Sequence, residues 1–362
     1  MAGVTIALDV MGGDRAPEET VAGAILAARE GVHLLLCGPR RVVEDGLGGP
    51  VPGIEVVDAP DVISGDEEPA AAVRGKPGSS LVTACRLVRE ARAQGAVSAG
   101  PTGAMMAACL LQMGRIPGIL RPGIAVPLPS QAAPCVLIDC GANADPRPEH
   151  LLQYGLMGSA FARDLLGIAE PRVGLLSIGE ESSKGTRLVL EAHALLAASD
   201  LAFAGNCEGR DVLTGEYQVV VADGFAGNVL LKGLEGAGAA LFGGLRTAAL
   251  SSTRAKLGAK LLMPALREMR DRTDPEMYGG AYLLGVRGLA VIAHGNSSHR
   301  AIRNALVYAA RGVEGQVVDR LSSLVTPGGA AGAPARDLQE GAQTRSVPQV
   351  AATEIGERDD ES

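Results

Sequence analysis

Polar residues stand at or just after the ends of six apolar stretches, and their types suit the binding of a charged ligand. They are Asp9, Ser98, Asp139, Glu180, Asp223 and His294. In an open α/β sheet the carboxyl ends of the strands line the ligand crevice, so this placement predicts one common site. Taken singly, each residue also fits a turn or a helix N-cap, and that interpretation stays open.

Two glycine-bearing turns join predicted strands to predicted helices. The residues that offer contacts in them are Asp9, Gly12, Gly13 and Asp14 in the first turn and Ser98, Thr102 and Gly103 in the second. Backbone amides, hydroxyl groups and a helix N-terminus at such turns bind anions. The first turn has the spacing of neither a Walker A loop nor a GxGxxG fingerprint. Two anion-binding turns in one sheet predict a phosphorylated ligand.

Lysine is rare in this chain, which makes each lysine position informative. The chain has 28 arginines and five lysines. Lys184 lies in a glycine-bordered turn after a predicted strand, from which its ammonium would reach the crevice, and Lys76 lies in a second such turn. Asp223 and Asn228 follow another strand and are spaced to share one helix face. A surface lysine or an N-cap aspartate would account for each without a site.

Composition excludes several classes of protein. Of 362 residues, 47% are apolar and 20% are charged, as in soluble globular proteins. Residues 327–362 hold seven acidic and three basic residues with no helix or strand period, which predicts a disordered acidic tail. The tail carries −4 of the net charge of −8, so the body has no basic excess and we expect no nucleic-acid partner.

No uncharged apolar stretch reaches the roughly 18 residues of a membrane span and no signal peptide opens the chain, which predicts a cytoplasmic protein.

Short aliphatic runs alternate with longer stretches of helical period, which predicts an α/β fold. The predicted strands are 4–8, 32–37, 54–58, 96–99, 135–138, 172–178, 217–222 and 289–293. The predicted helices are 17–30, 79–93, 102–113, 150–166, 187–198 and 298–311. Several strands are apolar at nearly every position, so helices must cover both sheet faces in a three-layer α/β/α sandwich. We expect one catalytic domain, 1–326, from which a helical hairpin at 233–272 projects.

Cysteine and histidine positions give no sign of a metal or a disulfide framework. The six cysteines form no CxxC pair and mostly lie in apolar runs, as expected of reduced core residues. The five histidines have no ligand spacing except His294 and His299, which lack a helical i,i+4 register. We predict no structural or catalytic metal.

Nine motifs stand in order along the chain. They are DVMGGDRAP at 9–17, KPGSSL at 76–81, SAGPTGA at 98–104, LIDCGAN at 137–143, LSIGEESSKG at 176–185, GNCEGRD at 205–211, VVADGFAGNV at 220–229, MYGGAYLLGVRG at 277–288 and HGNSS at 294–298. Together they resemble the bacterial acyl-ACP:phosphate acyltransferase family (PlsX) of phospholipid synthesis. The chain departs from the family at Pro101, where Asn is usual, and at the inserted Asn296. Pro101 has no side-chain hydrogen bond to offer at its position.

The resemblance implies a homodimer with a Rossmann-like sheet related to isopropylmalate dehydrogenase and phosphotransacetylase. It implies transfer of a long acyl chain from acyl carrier protein to inorganic phosphate, without a cofactor. The acyl phosphate product would serve a membrane glycerol-3-phosphate acyltransferase.

Phosphate attack on a thioester needs a bound dianion and donors for the carbonyl oxygen. We expect Lys184 and the two glycine turns to bind phosphate, and Asp223 and Asn228 to orient the attacking or carbonyl oxygen. The alternatives are a short-chain phosphate acyltransferase that uses CoA, a decarboxylating dehydrogenase, which the lack of a clear aspartate trio disfavours, and a non-catalytic phosphate or lipid sensor.

The hairpin carries a basic amphipathic pattern. Leu257 and Leu261 recur at helical spacing among Arg254, Lys256 and Lys260. Such a stripe either lies on an anionic membrane surface, as in a peripheral membrane protein, or is buried against the partner of a homodimer. Both hold at once if the bases of the helices pair and the tip stays exposed.

Overall fold

One mixed β-sheet with helices on both faces organises the computed structural model. The structure describes residues 3–273 and 275–325, and the side chains of 266–276 and 325 are outside this description. The strands are β1 (Thr5–Asp9), β2 (His33–Gly38), β3 (Ile54–Asp58), β4 (Gly95–Ser98), β5 (Gly123–Leu128), β6 (Cys135–Ile138), β7 (Val173–Leu176), β8 (Phe203–Cys207), β9 (Val219–Val221), β10 (Ala281–Leu284) and β11 (Leu289–Ile292). The helices are α1 (Glu18–Arg29), α2 (Arg40–Leu47), α3 (Pro69–Gly75), α4 (Ser80–Arg89), α5 (Thr102–Gln112), α6 (Pro148–Asp164), α7 (Arg187–Ala197), α8 (Gly224–Leu250), α9 (Thr253–Thr273), α10 (His299–Glu314) and α11 (Val317–Val325).

In the described part of the chain, the strands pair in the order β3-β2-β1-β4-β11-β10-β5-β6-β9-β7-β8. Strands β1, β2, β3, β4 and β11 run parallel to one another, and so do β6, β7, β8 and β9. Three successive antiparallel pairings separate these two groups: β11 with β10, β10 with β5, and β5 with β6. The second group of strands therefore runs opposite to the first.

Apolar residues fill both spaces between the sheet and its helices. In β1, Ile6 and Leu8 face one core and Ala7 faces the other, because side chains alternate along a strand. Helices α1, α6, α7, α10 and α11 pack on the first face, and α3, α4 and α5 pack on the second. The predicted three-layer α/β/α sandwich is confirmed.

The predicted strands and helices are present with small shifts at their ends, and six further elements were not predicted. Strand β5 contains Pro127, a residue that is rare inside strands, and β10 spans only four residues between glycine-bearing turns. Strand β8 is interrupted by Gly205, and α2, α3 and α11 are shorter than the helices that the periodicity predicts. Most of these elements are too short for a clear period.

The predicted hairpin exists as α8 and α9, but α8 begins at Gly224 instead of residue 233. Asp223 caps the helix, since its Oδ1 accepts a hydrogen bond of 2.8 Å from the Ala226 amide. No helix in the described residues is long and apolar enough to cross a membrane. The boundary after residue 326 and the disordered acidic tail stay predictions, because 326–362 lie outside the described residues.

Candidate functional site

Three loops meet beyond the ends of β1, β4 and β11, and we call them the glycine cradle (residues 9–17, 98–104 and 294–298). The Ser98 hydroxyl donates to Asp9 Oδ2 at 2.7 Å and accepts from the Gly100 amide at 2.9 Å. A Cβ atom on Gly12 would lie 2.6 Å from Asp9 Oδ2 and 2.7 Å from the Gly100 nitrogen. Only glycine therefore fits at position 12.

Asp9 is the buried acid of the cradle. Burial raises the pKa of its carboxyl group, and the hydroxyls of Ser80 and Ser98 act in the opposite direction. Its second oxygen, Oδ1, is buried and has no hydrogen-bond partner in the described structure. A raised pKa makes the charged form of Asp9 less favourable, which lessens repulsion of an anion in the cradle.

The third loop closes the cradle by backbone contacts. Gly13 has a φ of +108°, a conformation that favours glycine, and the Asp14 amide donates to the Gly295 carbonyl at 2.7 Å. Thr102 and Gly103 begin α5 on the second loop, and a Cβ on Gly103 would lie 2.9 Å from Pro69 Cγ in α3. The structure thus brings the predicted phosphate-binding turns together at neighbouring strand ends.

His294 meets two charged residues that the sequence analysis missed. Its Nε2 atom lies 3.3 Å from Lys232 Nζ and 3.5 Å from Glu235 Oε1, and the lysine and glutamate pair at 2.8 Å. Both partners belong to α8, which therefore reaches the glycine cradle. Lys232 is one of only five lysines and stands three residues before an acid, which was the available signal.

A second cluster surrounds Asp139 beyond the end of β6, and we call it the Asp139 cluster (residues 139–143 and 223–228). The buried carboxylate accepts hydrogen bonds from the amides of Ile124, Ala142 and Asn143 at 2.7–2.9 Å. Burial raises the pKa of Asp139, while these amides oppose the rise. These bonds hold the 139–143 loop to β5.

The first turn of α8 packs tightly on this loop. The Gly224 amide donates to the Asn143 carbonyl at 2.9 Å, and a Cβ on Gly227 would collide with the Asp139 carbonyl. Asn228 is exposed and lies beside Gly141, where a Cβ on the glycine would be 3.7 Å from the asparagine side chain. Asp223 caps the same helix, so Asp223 and Asn228 lie within about one and a half turns of each other.

Lys184 lies on the turn after β7, the strand next to β9. Asn206 holds this turn, since its Nδ2 donates to the Glu181 carbonyl at 2.8 Å and its Oδ1 lies 2.9 Å from His193 Nδ1. The Lys184 ammonium is exposed and makes no hydrogen bond or ion pair with the described residues. No described contact joins it to Asp223 or Asn228, and its catalytic role stays a prediction.

The six strand-end residues belong to strands that run in two opposite directions, and a single common site stays a prediction. Asp9 and Ser98 are the last residues of β1 and β4, and His294 follows β11. Asp139, Glu180 and Asp223 follow β6, β7 and β9, which run in the opposite direction. The three antiparallel pairings in mid-sheet cause this reversal. Helix α8 connects the two groups, because it begins in the Asp139 cluster and reaches His294 with Lys232.

Cysteines and possible metal ligands have ordinary surroundings. All six cysteines are buried and free, as predicted for core residues. Among the described residues, no three His, Cys, Asp or Glu side chains group closely enough to hold a metal ion.

Solved structures with a similar fold include acyl-transfer enzymes. A phosphotransacetylase from Streptococcus pyogenes matches with a TM-score of 0.58 at 18% identity, over 86% of this chain and 94% of that protein. A branched-chain phosphotransacylase from Enterococcus faecalis matches with a TM-score of 0.54 at 16% identity, over 86% of this chain and 99% of that protein. At these identities the likeness supports the Rossmann-like α/β sandwich and nothing finer.

Sequence relatives are far more similar. A phosphate acyltransferase from Moorella thermoacetica is 48% identical over 322 residues, which are 88% of this chain and 95% of the relative. One from Heliobacterium modesticaldum is 50% identical over 315 residues, 85% of this chain and 94% of the relative. Residues 4–320 match the family model described as fatty acid synthesis protein. The chain belongs to this family and is an enzyme of the phosphate acyltransferase type.

Proposed function

We propose that this phosphate acyltransferase transfers a long-chain acyl group from acyl carrier protein to inorganic phosphate, and that the acyl phosphate feeds phospholipid synthesis. The donor and the chain length are the finer parts of this proposal. The observation that carries them is an exposed apolar patch beside the Asp139 cluster.

We give the name apolar patch to three exposed side chains that follow the paired strands β7 and β9: Ile178, Phe225 and Val229, which are 82%, 68% and 57% exposed. Ile178 follows β7, and Phe225 and Val229 are one helical turn apart on α8, so the patch borders both Lys184 and Asn228 along the chain. Burial of apolar surface is worth about 25 cal/mol per Å², so an acyl chain laid on large exposed side chains gains several kcal/mol. An acetyl group would leave most of this surface in water.

Direct displacement suits the site better than a cysteine acyl-enzyme. Burial raises the pKa of the Cys135 thiol to about 12 and raises the pKa values of Cys37, Cys140 and Cys207 as well. The hydrogen bond with Cys109, together with burial, raises the pKa of Cys85. A thiol of that kind forms no thiolate at neutral pH, and all six cysteines are buried. In the proposed reaction a phosphate oxygen therefore attacks the carbonyl carbon of the thioester. The C–S bond then breaks, and the thiolate leaves and takes up a proton.

The two groups of residues suit different needs of this reaction. The glycine cradle offers backbone amides and the exposed Thr102 hydroxyl to a phosphate. The buried Ser98 hydroxyl, which donates to Asp9, is a positioning group of the cradle. Lys184 offers an ammonium that has no partner among the described residues. The Asn228 amide group is a donor for the developing oxyanion, and the Asp223 carboxylate is an acceptor that would orient a phosphate hydroxyl. These roles stay parts of the proposal.

The test is a product assay with competing donors. We expect long-chain acyl phosphate, detected by mass spectrometry, when the protein is mixed with long-chain acyl-ACP, acetyl-CoA and phosphate, and none without phosphate. Intact-protein mass spectrometry should show no acylated enzyme in the phosphate-free sample. Acetyl phosphate as the sole product would favour the short-chain CoA enzyme, and ligand retention without any product would favour the sensor.

The hairpin supports two further parts of the proposal, a homodimer and association with an anionic membrane. Leu241, Leu245 and Leu250 on α8 and Leu257 and Leu261 on α9 are exposed in the single chain. Large apolar side chains in such a row are ordinarily covered by a partner or a lipid surface. Membrane proximity would deliver an apolar, hydrolysable product to a membrane glycerol-3-phosphate acyltransferase. The protein itself is then cytoplasmic and bound at the membrane periphery.

A further inference from the structure

A polar cavity of about 500 Å³ opens beside the Asp139 cluster. It lies between the 142–147 loop after β6, Arg121 two positions before β5, and the first turn of α6. Its lining includes two arginines and a histidine, Arg121, Arg147 and His150, with Asn143 and one acid, Asp145. None of the residues assigned above to phosphate binding lines it.

The two guanidinium groups are unneutralised. Neither Arg121 nor Arg147 makes an ion pair or a side-chain hydrogen bond with any residue that the structure describes. Against them stands Asp145, so the charged lining has a net charge of +1 at neutral pH. Elsewhere in the described chain arginines commonly pair with acids, as Arg303 does with Glu30 at 2.5 Å. Unpaired arginines that line one cavity are suited to an anion.

His150 adds an oriented donor. Its Nδ1 accepts a hydrogen bond of 3.0 Å from the Arg147 backbone amide, so the neutral ring carries its proton on Nε2. Burial lowers the pKa of His150, and the charges of Arg121 and Arg147 lower it further, while Glu149 acts in the opposite direction. The ring is therefore kept neutral, with its Nε2–H group free to donate.

Hydrogen bonds hold the Asn143 wall of the cavity in place without a ligand. Asn143 Nδ2 donates to the Pro122 carbonyl at 2.8 Å, which ties the Arg121 segment to the loop of the Asp139 cluster. The backbone amide of Asn143 donates to Asp139 at 2.7 Å. Fixed walls lower the ordering cost of binding.

We propose that this cavity binds the phosphodiester of the phosphopantetheine arm that carries the acyl thioester. The inference rests on the proposed function and names the part of the donor that the enzyme grips. A free phosphate fills only a few water volumes of about 30 Å³ each, whereas a cavity of this size suits a phosphate with an organic chain attached. A phosphodiester carries one negative charge, which matches the net charge of the lining.

The reach of the arm agrees with this placement. About 13 bonds separate its phosphorus from its sulfur, which is about 15 Å for a chain extended like a polypeptide. Ala142 lines the cavity and Gly141 adjoins Asn228, so an arm that leaves the cavity passes the Asp139 cluster. The thioester then comes within reach of Asn228 and the exposed apolar patch. Acyl carrier protein and CoA share this arm, so both donors should use the cavity.

The first test is a binding titration that needs no turnover. We expect the wild type to bind 4′-phosphopantetheine at least tenfold more tightly than pantetheine, by isothermal titration calorimetry, because an arginine–phosphate hydrogen bond is among the strong ones. The double variant Arg121→Gln/Arg147→Gln should lose this preference. Arg29→Gln, another exposed arginine without a described partner, is the matched control. Equal binding of both probes by the wild type, or an unchanged preference in the double variant, overturns the proposal.

The second test separates the donor from the acceptor. The double variant should raise KM for acyl-ACP and for acyl-CoA about tenfold and leave KM for phosphate unchanged. A rise in KM for phosphate alone would assign the cavity to the acceptor and overturn our assignment. If the wild type makes no acyl phosphate from either donor, the proposed function fails while the titration still decides whether the cavity holds a phosphopantetheine phosphate. Unchanged melting temperatures would show that both variants fold.

Discussion

Substitution of Gly12 by alanine tests whether the glycine cradle binds phosphate. The added Cβ would lie 2.6 Å from Asp9 Oδ2, 2.7 Å from the Gly100 nitrogen and 2.9 Å from Ser98 Oγ. All three distances are below 3.0 Å, which Cβ atoms in proteins essentially never show. Two of the contacted atoms belong to buried, hydrogen-bonded side chains. The loops must therefore move apart.

The expected cost follows from these contacts. Overpacking of a well-packed site costs about 1–3 kcal/mol, and about 2 °C of melting temperature is lost per kcal/mol in a domain of this size. We expect a fall in melting temperature on the order of 2–6 °C. When the loops move apart, a backbone N–H group is displaced from the phosphate, and the loss of one hydrogen bond to a charged group costs about 1.5 kcal/mol, roughly a tenfold rise in KM for phosphate.

The assay measures acyl phosphate formation at varied phosphate with saturating donor, next to a thermal unfolding curve. Gly75→Ala is the matched control, because a Cβ on Gly75 would meet nothing within 4 Å, and it should change neither quantity. If Gly12→Ala fails to fold, Ser98→Ala removes a cradle hydroxyl without adding volume and should also raise KM for phosphate. A folded Gly12→Ala or Ser98→Ala variant with wild-type KM for phosphate would refute the cradle as the phosphate site.

Three further predictions concern other parts of the chain. Lys184→Ala should abolish most turnover at an unchanged melting temperature, because the ammonium is exposed and has no described partner; near-normal activity would contradict its role. Leu257→Glu/Leu261→Glu should release the protein from anionic vesicles in a flotation assay without dissociating a dimer; a monomeric variant, or a wild type that never binds, would contradict the membrane proposal. The hydrogen bond from Lys76 lowers the pKa of Glu67 to about 2 from the model-compound value of 4.5, so its stabilising contribution is present above pH 4.5 and is lost as the pH falls towards 2. The melting temperature of Glu67→Gln should therefore fall less than that of the wild type between pH 4.5 and about pH 2. Equal falls would show that the Lys76–Glu67 pair does not contribute to stability.

Much of the fold could be predicted because its strands are continuously apolar and its longer helices are periodic. Strand β6 and the Val219–Val221 strand β9 have no polar residue, which already requires helices on both faces. Strands β5 and β10 could not be predicted in the same way, since one contains Pro127 and the other lies between the positive-φ glycines 279–280 and 285. Neither the residue types of β5 and β10 nor the spacing of their apolar residues shows which strands they pair with.

The positions of the candidate site residues depend on β5 and β10, the two strands that were not predicted from the sequence. With β5 and β10 left out, all the predicted strands fit one parallel sheet, and six strand-end residues fit one edge. The two strands add the reversals that turn β6, β7 and β9 around. The contact of Lys232 with His294 was equally hidden, because 62 positions separate them and only the course of α8 brings them together.

Helix α8 connects the two groups of residues that the sheet separates. Its first turn is held at the Asp139 cluster by Gly224 and Gly227, where a larger residue would collide with the 139–143 loop. At 1.5 Å per residue, Lys232 lies about 12 Å further along the helix, where it meets His294 of the glycine cradle. The helix therefore sets the distance between the residues that we propose for the thioester and those that we propose for phosphate. The same helix continues into the exposed hairpin. A partner subunit or a membrane that covers the hairpin would therefore contact the helix that connects the Asp139 cluster with the glycine cradle.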